Sequence, residues 1–147
     1  MPDLDLFLAI LHHFFVFALF GVLFSELVVV RRDMDAAAVA RLVRIDAWYG
    51  VLAALILIVG FSRVIFAAKG WAYYAHNGFF WAKIGTFIVI GLLSVPPTLA
   101  FLKWRRVGAS PKDEAVAKVR PYLWIQTALF PLLPAFAATM ARGYGEF

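Results

Sequence analysis

Between residues 6 and 30 the chain reads LFLAILHHFFVFALFGVLFSELVVV, and apart from Ser25 its only polar side chains are His12, His13 and Glu26. An ionisable group in so apolar a run costs free energy unless it has a partner or a use. Three more ions interrupt apolar sequence in the same way: Asp46 in RIDAWYG, Arg63 in GFSRVIF and Lys83 in FFWAKIG. One imidazole and two fixed cations make a particular chemistry available. His12 can be the axial ligand of a haem iron. Arg63 and Lys83 can neutralise the two propionates through charge-assisted hydrogen bonds. His13 is the fallback ligand or a neighbour at a subunit contact, and Lys83 could itself reach the iron.

Competing chemistries lack their residues. There is no cysteine, which excludes disulfides, thiolate metal sites and cysteine nucleophiles. A zinc or non-haem iron site needs three or four nitrogen, sulfur or carboxylate ligands, and no acid is expected beside His12. No Ser/His/Asp set converges. A bis-histidine protein with two haems needs four histidines, whereas the chain has three and His76 falls in a loop. A proton relay wants acids and histidines along the whole path, and here an apolar gap separates His12 from Glu26. Glu26 and Asp46, with Arg44 and the loop bases nearby, are expected to form interfacial ion pairs that fix helix register.

The elements that must position these residues follow from composition. Hydrophobic residues make up 64% of the 147, against roughly 45–50% in soluble domains, and the mean hydropathy is +0.85. The class is an all-α integral membrane protein forming a single domain over residues 1–147. A spanning helix needs about 20 mostly apolar residues, and four stretches qualify, at about 4–30, 45–68, 78–102 and 121–141. Backbone groups in lipid must be satisfied internally, so the spans are helices forming a four-helix bundle. Pro96 and Pro97 are expected to kink the third, and Pro131 and Pro134 the fourth. Asp33 or Asp35 is expected to cap a short helix starting near Ala36, which Arg41 and Arg44 would close. The start MPDLDLFLAI lacks the basic segment and cleavage site of a secretory signal, so the first span is expected to be retained.

The formal charge is +5. Ten of the fourteen basic residues lie in or beside the first and third connections, which points to the positive-inside rule and not to nucleic acid. Both termini are therefore expected on the periplasmic side of a bacterial inner membrane. At about 1.5 Å per residue, His12 lies about 12 Å from the outer end of its helix, and Arg63 and Lys83 about 8 Å from theirs. Three ionisable groups from three helices thus fall at one level. His12, Leu19 and Glu26, spaced by seven, share one face of the first helix, whereas His13 is turned about 100° away. Small residues on the second helix permit close approach and self-association, so a homo-oligomer is expected.

The stretches LFLAILHHFFVFALFGVLF and FFWAKIGTFIVIGLL resemble the first and third spans of HemJ-type membrane protoporphyrinogen oxidases. The chain resembles still more a related family of predicted four-span bacterial inner-membrane proteins of unknown function. The HemJ resemblance implies a haem b held with a first-span histidine and a third-span lysine, and His12 and Lys83 stand at those places. HemJ-type proteins follow the first span with Pro-Arg and Tyr-His pairs and carry Asn-Glu-x-Pro near the fourth. Here those places read SELVVVRRD and KVRPYLW. Haem binding with a redox or electron-transfer role is accordingly the reading, with iron on His12. The alternatives are a HemJ-like oxidase passing electrons to quinone and a cofactor-free scaffold that binds lipid headgroups.

Overall fold

Apolar runs this long, without alternation, satisfy their backbone as helices, and the computed structural model, which describes residues 2–66 and 69–147, places them so. Six helices follow in order: α1 (Pro2–Val29), α2 (Ala36–Phe66), α3 (Gly70–Ala75), α4 (Gly78–Val107), α5 (Asp113–Leu129) and α6 (Leu132–Ala141). Four stretches are long and apolar enough to cross a membrane: Asp3–Val29, Ala36–Phe66, Gly78–Val107 and Asp113–Ala141. The last combines α5 and α6. The fold is the expected all-α bundle. Ala67 and Ala68, at the end of the expected second span, lie outside the described residues.

α1 packs along α2, α4 along α5 and α6, and contacts of α2 with α4 and of α1 with α5 close the bundle. The buried stripe of α1 is Leu19, Leu23, Glu26, Leu27 and Val30, the i, i+4, i+7 rhythm of one helix face. Large apolar side chains on the outside, such as Phe17, Trp48, Leu92 and Trp124, suit contact with lipid. Both termini lie at one end of the bundle. There the amide of Phe147 donates to the His76 carbonyl at 3.0 Å, and Asn77 bridges to Glu146.

The first connection differs from expectation. Asp35 does cap, its Oδ1 accepting from the Ala38 amide at 2.8 Å. The helix it starts is not short, and Arg41 and Arg44 do not close it, since α2 continues for 31 residues to Phe66. Nothing in ARLVRIDAWYG before Gly50 breaks a helix. Arg41 and Arg44 face outward while Leu42, Val43 and Asp46 are buried. At about 46 Å such a helix exceeds the bilayer core, so its first turns extend beyond it.

The prolines act differently in the two halves. α4 stays one helix through Pro96 and Pro97. Pro97 has no N–H to offer the Leu93 carbonyl one turn back. The Gln126 side chain supplies the missing donor, Nε2 to the Leu93 oxygen at 3.2 Å. Gln126 Oε1 in turn accepts from the Tyr49 hydroxyl at 2.8 Å. One fully buried amide thus ties α2, α4 and α5 at the proline step. Replacing Gln126 by Leu strands the Leu93 carbonyl and the Tyr49 hydroxyl in an apolar interior, at about 1–3 kcal/mol for each group. A matching fall in thermal stability is expected, and an unchanged Tm in detergent would contradict the tie. In the fourth span the chain does break, with Phe130 and Pro131 separating α5 from α6.

Candidate functional site

At the end carrying the termini, His12 of α1 lies against the backbone of α2. A Cβ added at Gly60 would stand 3.2 Å from His12 Cε1 and 3.6 Å from Nδ1, so the ring fits here because position 60 has no side chain. His12 Nδ1 is buried and has no hydrogen-bond partner among the described residues. Lys83 comes from α4, with its ammonium 5.7 Å from the centroid of the Phe80 ring. Arg63 comes from the last turn of α2, and its Nε lies 3.8 Å from Asp5 Oδ1 of α1. This is the one ion pair among the described residues.

These side chains border two adjoining hollows. One, of about 320 Å³, is apolar, with Val16, Ile56, Phe80, Ile84 and Phe87 around His12 and Lys83. The other, of about 530 Å³, is charged, with Asp5, Arg63, Lys69, Tyr73 and His13 around the same two residues. Its far wall is α6, where Ala137 and Ala138 leave room. His12, Val16, Lys83 and Leu133 belong to both hollows. α3 covers the charged side, held by the Tyr73 hydroxyl donating to the Met140 carbonyl at 3.2 Å.

The structure therefore brings His12, Arg63 and Lys83 to one place, as the shared depth predicted. His13 reaches only the rim of the charged hollow. Its ring sits edge-on to His12 with centroids 6.2 Å apart, and its Nδ1 hydrogen-bonds the Ala9 carbonyl at 2.7 Å. Asp5, Lys69 and Tyr73 were missed. Sequence reasoning placed no acid beside His12, yet Asp5 is there. The signal was available, because Asp5 precedes His12 by the same seven residues that link His12, Leu19 and Glu26. Lys69 and Tyr73, also without a site role in the sequence reading, join the site too, with the Lys69 ammonium 4.5 Å from the centroid of the Tyr73 ring.

Three cations against one carboxylate give the charged hollow a net attraction for anions. Beside it lies an apolar hollow that would exclude water from whatever occupies it. The described residues contain no group of three or more histidine, cysteine or acidic side chains able to hold a metal ion by themselves. The arrangement suits a ligand that is flat or oily in its body, anionic at one edge and able to accept one nitrogen from the protein.

The other polar level departs from expectation. Glu26 and Asp46 are both buried and lie against one another. Among the described residues no base pairs with either. Arg44 points outward. The Arg120 guanidinium is directed to the Leu27 and Val30 carbonyls at the end of α1. Two neighbouring acids without a base replace the expected interfacial ion pairs, because the facing turns of α1 and α2 carry no cation on their packed sides.

The family model described as "Predicted membrane protein (DUF2214)" matches residues 4–145. No curated protein and no solved structure matches the chain.

Proposed function

We propose, from the premise that this chain belongs to the DUF2214 family of predicted membrane proteins, that it binds one haem b between His12, Arg63 and Lys83 and serves a redox or electron-transfer role. The observation that carries the reading is the placing of His12 and Lys83 in the wall shared by an apolar hollow and a cationic one, with Arg63 in the latter. When bound, haem supplies an iron centre that accepts and returns single electrons.

The chain's own residues divide the remaining work. His12 would offer its imidazole to the iron, and the bare Gly60 leaves room for the ring against α2. Phe80 and Phe87 exclude water and so strengthen every charge interaction inside. Lys83 and Arg63 would neutralise the propionates, with Arg63 held near Asp5. The likeness of the first and third spans to HemJ-type oxidases supports the pairing of a histidine with a lysine. Leu57, Phe61 and Ile88 edge the apolar hollow and are exposed to lipid, so a membrane-dissolved redox partner such as a quinone can approach there.

The test is the absorption spectrum of the protein purified from its membrane. A Soret band, with about one haem per chain by pyridine haemochrome, is the expected result. A featureless visible spectrum from folded protein grown with adequate iron would overturn the reading in favour of a cofactor-free scaffold. The reading also includes an orientation: basic connections in the cytoplasm and both termini in the periplasm of a bacterial inner membrane. A reporter fused after Phe147 that is active only in the periplasm is expected to be active. Activity of a cytoplasm-only reporter there would reverse the orientation.

A further inference from the structure

Glu26 is 2% exposed and Asp46 9%, and their side chains meet between α1 and α2. Glu26 Oε1 is enclosed and has no hydrogen-bond partner among the described residues. Every neighbouring helix adds a group. α2 contributes Tyr49, whose hydroxyl donates to Gln126 Oε1 of α5 at 2.8 Å. α4 contributes the neutral Ser94 beside Tyr49, and its hydroxyl donates to the Gly91 carbonyl at 2.6 Å. The cation that α5 brings to this end of α1 is Arg120, and it is directed to the Leu27 and Val30 carbonyls. Among the described residues, Asp46 and Tyr49 from α2 lie about Glu26, Arg120 from α5 is turned to the carbonyls at the end of α1, and none forms an ion pair with Glu26.

Two carboxyl groups in contact in a low-dielectric interior cannot both carry charge without positive charge between them. Ion pairing within the protein is the usual remedy, and among the described residues it is absent here. Ionisable residues kept inside a membrane-spanning bundle mark ion or proton sites by default. The enclosed, unpartnered oxygen of Glu26 is the position at which that charge is missing.

We propose that Glu26 and Asp46 bind one exchangeable small cation, a proton or a sodium-sized ion, within the bundle at the end that carries the basic connections. Asp46, the more exposed of the two, is the point of entry. The site is a single station and not part of a path across the membrane. Leu19 and Leu23, 1% and 0% exposed, fill the face of α1 between Glu26 and His12. The proposal is independent of haem.

Infrared spectroscopy of the full-length protein in lipid nanodiscs tests it, with wild type, Glu26→Gln and Asp46→Asn compared. In sodium-free choline buffer the expected result is a carboxylic-acid carbonyl band that fades as pH rises in the wild type and is lost in both variants. That result identifies the occupant as a proton. If instead no such band exists, sodium chloride is expected to raise the wild-type Tm above that in equimolar choline chloride, with no such rise in either variant. That result identifies a metal ion. A band that does not respond to pH, a band that persists in both variants, or the absence of both band and sodium-specific stabilisation overturns the site. If a variant fails to fold, the wild-type pH and sodium responses alone decide.

Discussion

His12→Ala is expected to abolish haem binding, and His13→Ala to leave it intact. The two residues are adjacent and chemically identical, so only geometry separates them. One residue along a helix rotates the side chain by about 100°. Position 12 therefore looks between α1 and α2, onto Gly60, while position 13 is exposed. The surroundings point the same way: His12 borders both hollows, with Lys83 beside it, whereas His13 borders only the charged one. Removing an outer partner of a metal ligand typically costs about 10–100-fold in affinity, and removing the ligand itself should cost more. The ratio of haem to protein should then fall to background after purification. Imidazole added to His12→Gly should restore part of the Soret band, which a merely misfolded variant would not allow. Full haem in His12→Ala with loss in His13→Ala would move the ligand by one position and rotate the pocket. Full haem in both would end the axial-histidine assignment on α1.

Part of this site is legible in the sequence, because a bilayer constrains helices strongly. Apolar length fixes how far a helix travels, and alternating direction fixes which ends meet. The common level of His12, Arg63 and Lys83 follows from these two facts. What sequence could not give was direction around each helix and the partner chosen at each level. Asp5, near the start of the chain, has no assigned partner in the sequence, and α1 and α2 place it 3.8 Å from Arg63. Glu26 and Asp46 were assigned to the right level, but the nearby bases were assumed to turn inward. Arg44 turns out, and Arg120 caps α1 instead. Gln126 gave no signal as a neutral residue in an apolar helix. Pro97 did signal that a carbonyl one turn earlier needed a donor. Which helix would supply that donor depends on packing, which the period of the sequence does not encode.

Lys83 is the residue whose substitutions separate two roles that one position could play. The Lys83 ammonium lies beside the Phe80 ring and borders both hollows, so it can meet either a propionate or the iron. If it neutralises a propionate, Lys83→Ala removes a charge-assisted bond in a low-dielectric setting. Such bonds to charged groups contribute about 1.5–3 kcal/mol, so haem affinity should fall by roughly 10–150-fold at 1.4 kcal/mol per decade. Lys83→Arg should then recover most of the loss, because a guanidinium holds carboxylates at least as well as an ammonium. Arg63→Ala should resemble Lys83→Ala in kind and also leave Asp5 without its partner, so Asp5→Asn/Arg63→Ala should be less impaired than Arg63→Ala alone. If Lys83 is an iron ligand, Lys83→Arg is as damaging as Lys83→Ala, since an arginine keeps its proton at ordinary pH and has no lone pair to give. The two roles also differ in the spectrum. Loss of a propionate partner leaves the axial ligation and Soret position unchanged while lowering occupancy, whereas loss of a ligand shifts the band of whatever haem is retained. We expect the first pattern, because His12 already brings an imidazole to the wall of both hollows and Lys83 stands with Arg63 in the charged one. A shifted Soret band in Lys83→Arg, with occupancy as low as in Lys83→Ala, would move Lys83 from the edge of the porphyrin to its centre.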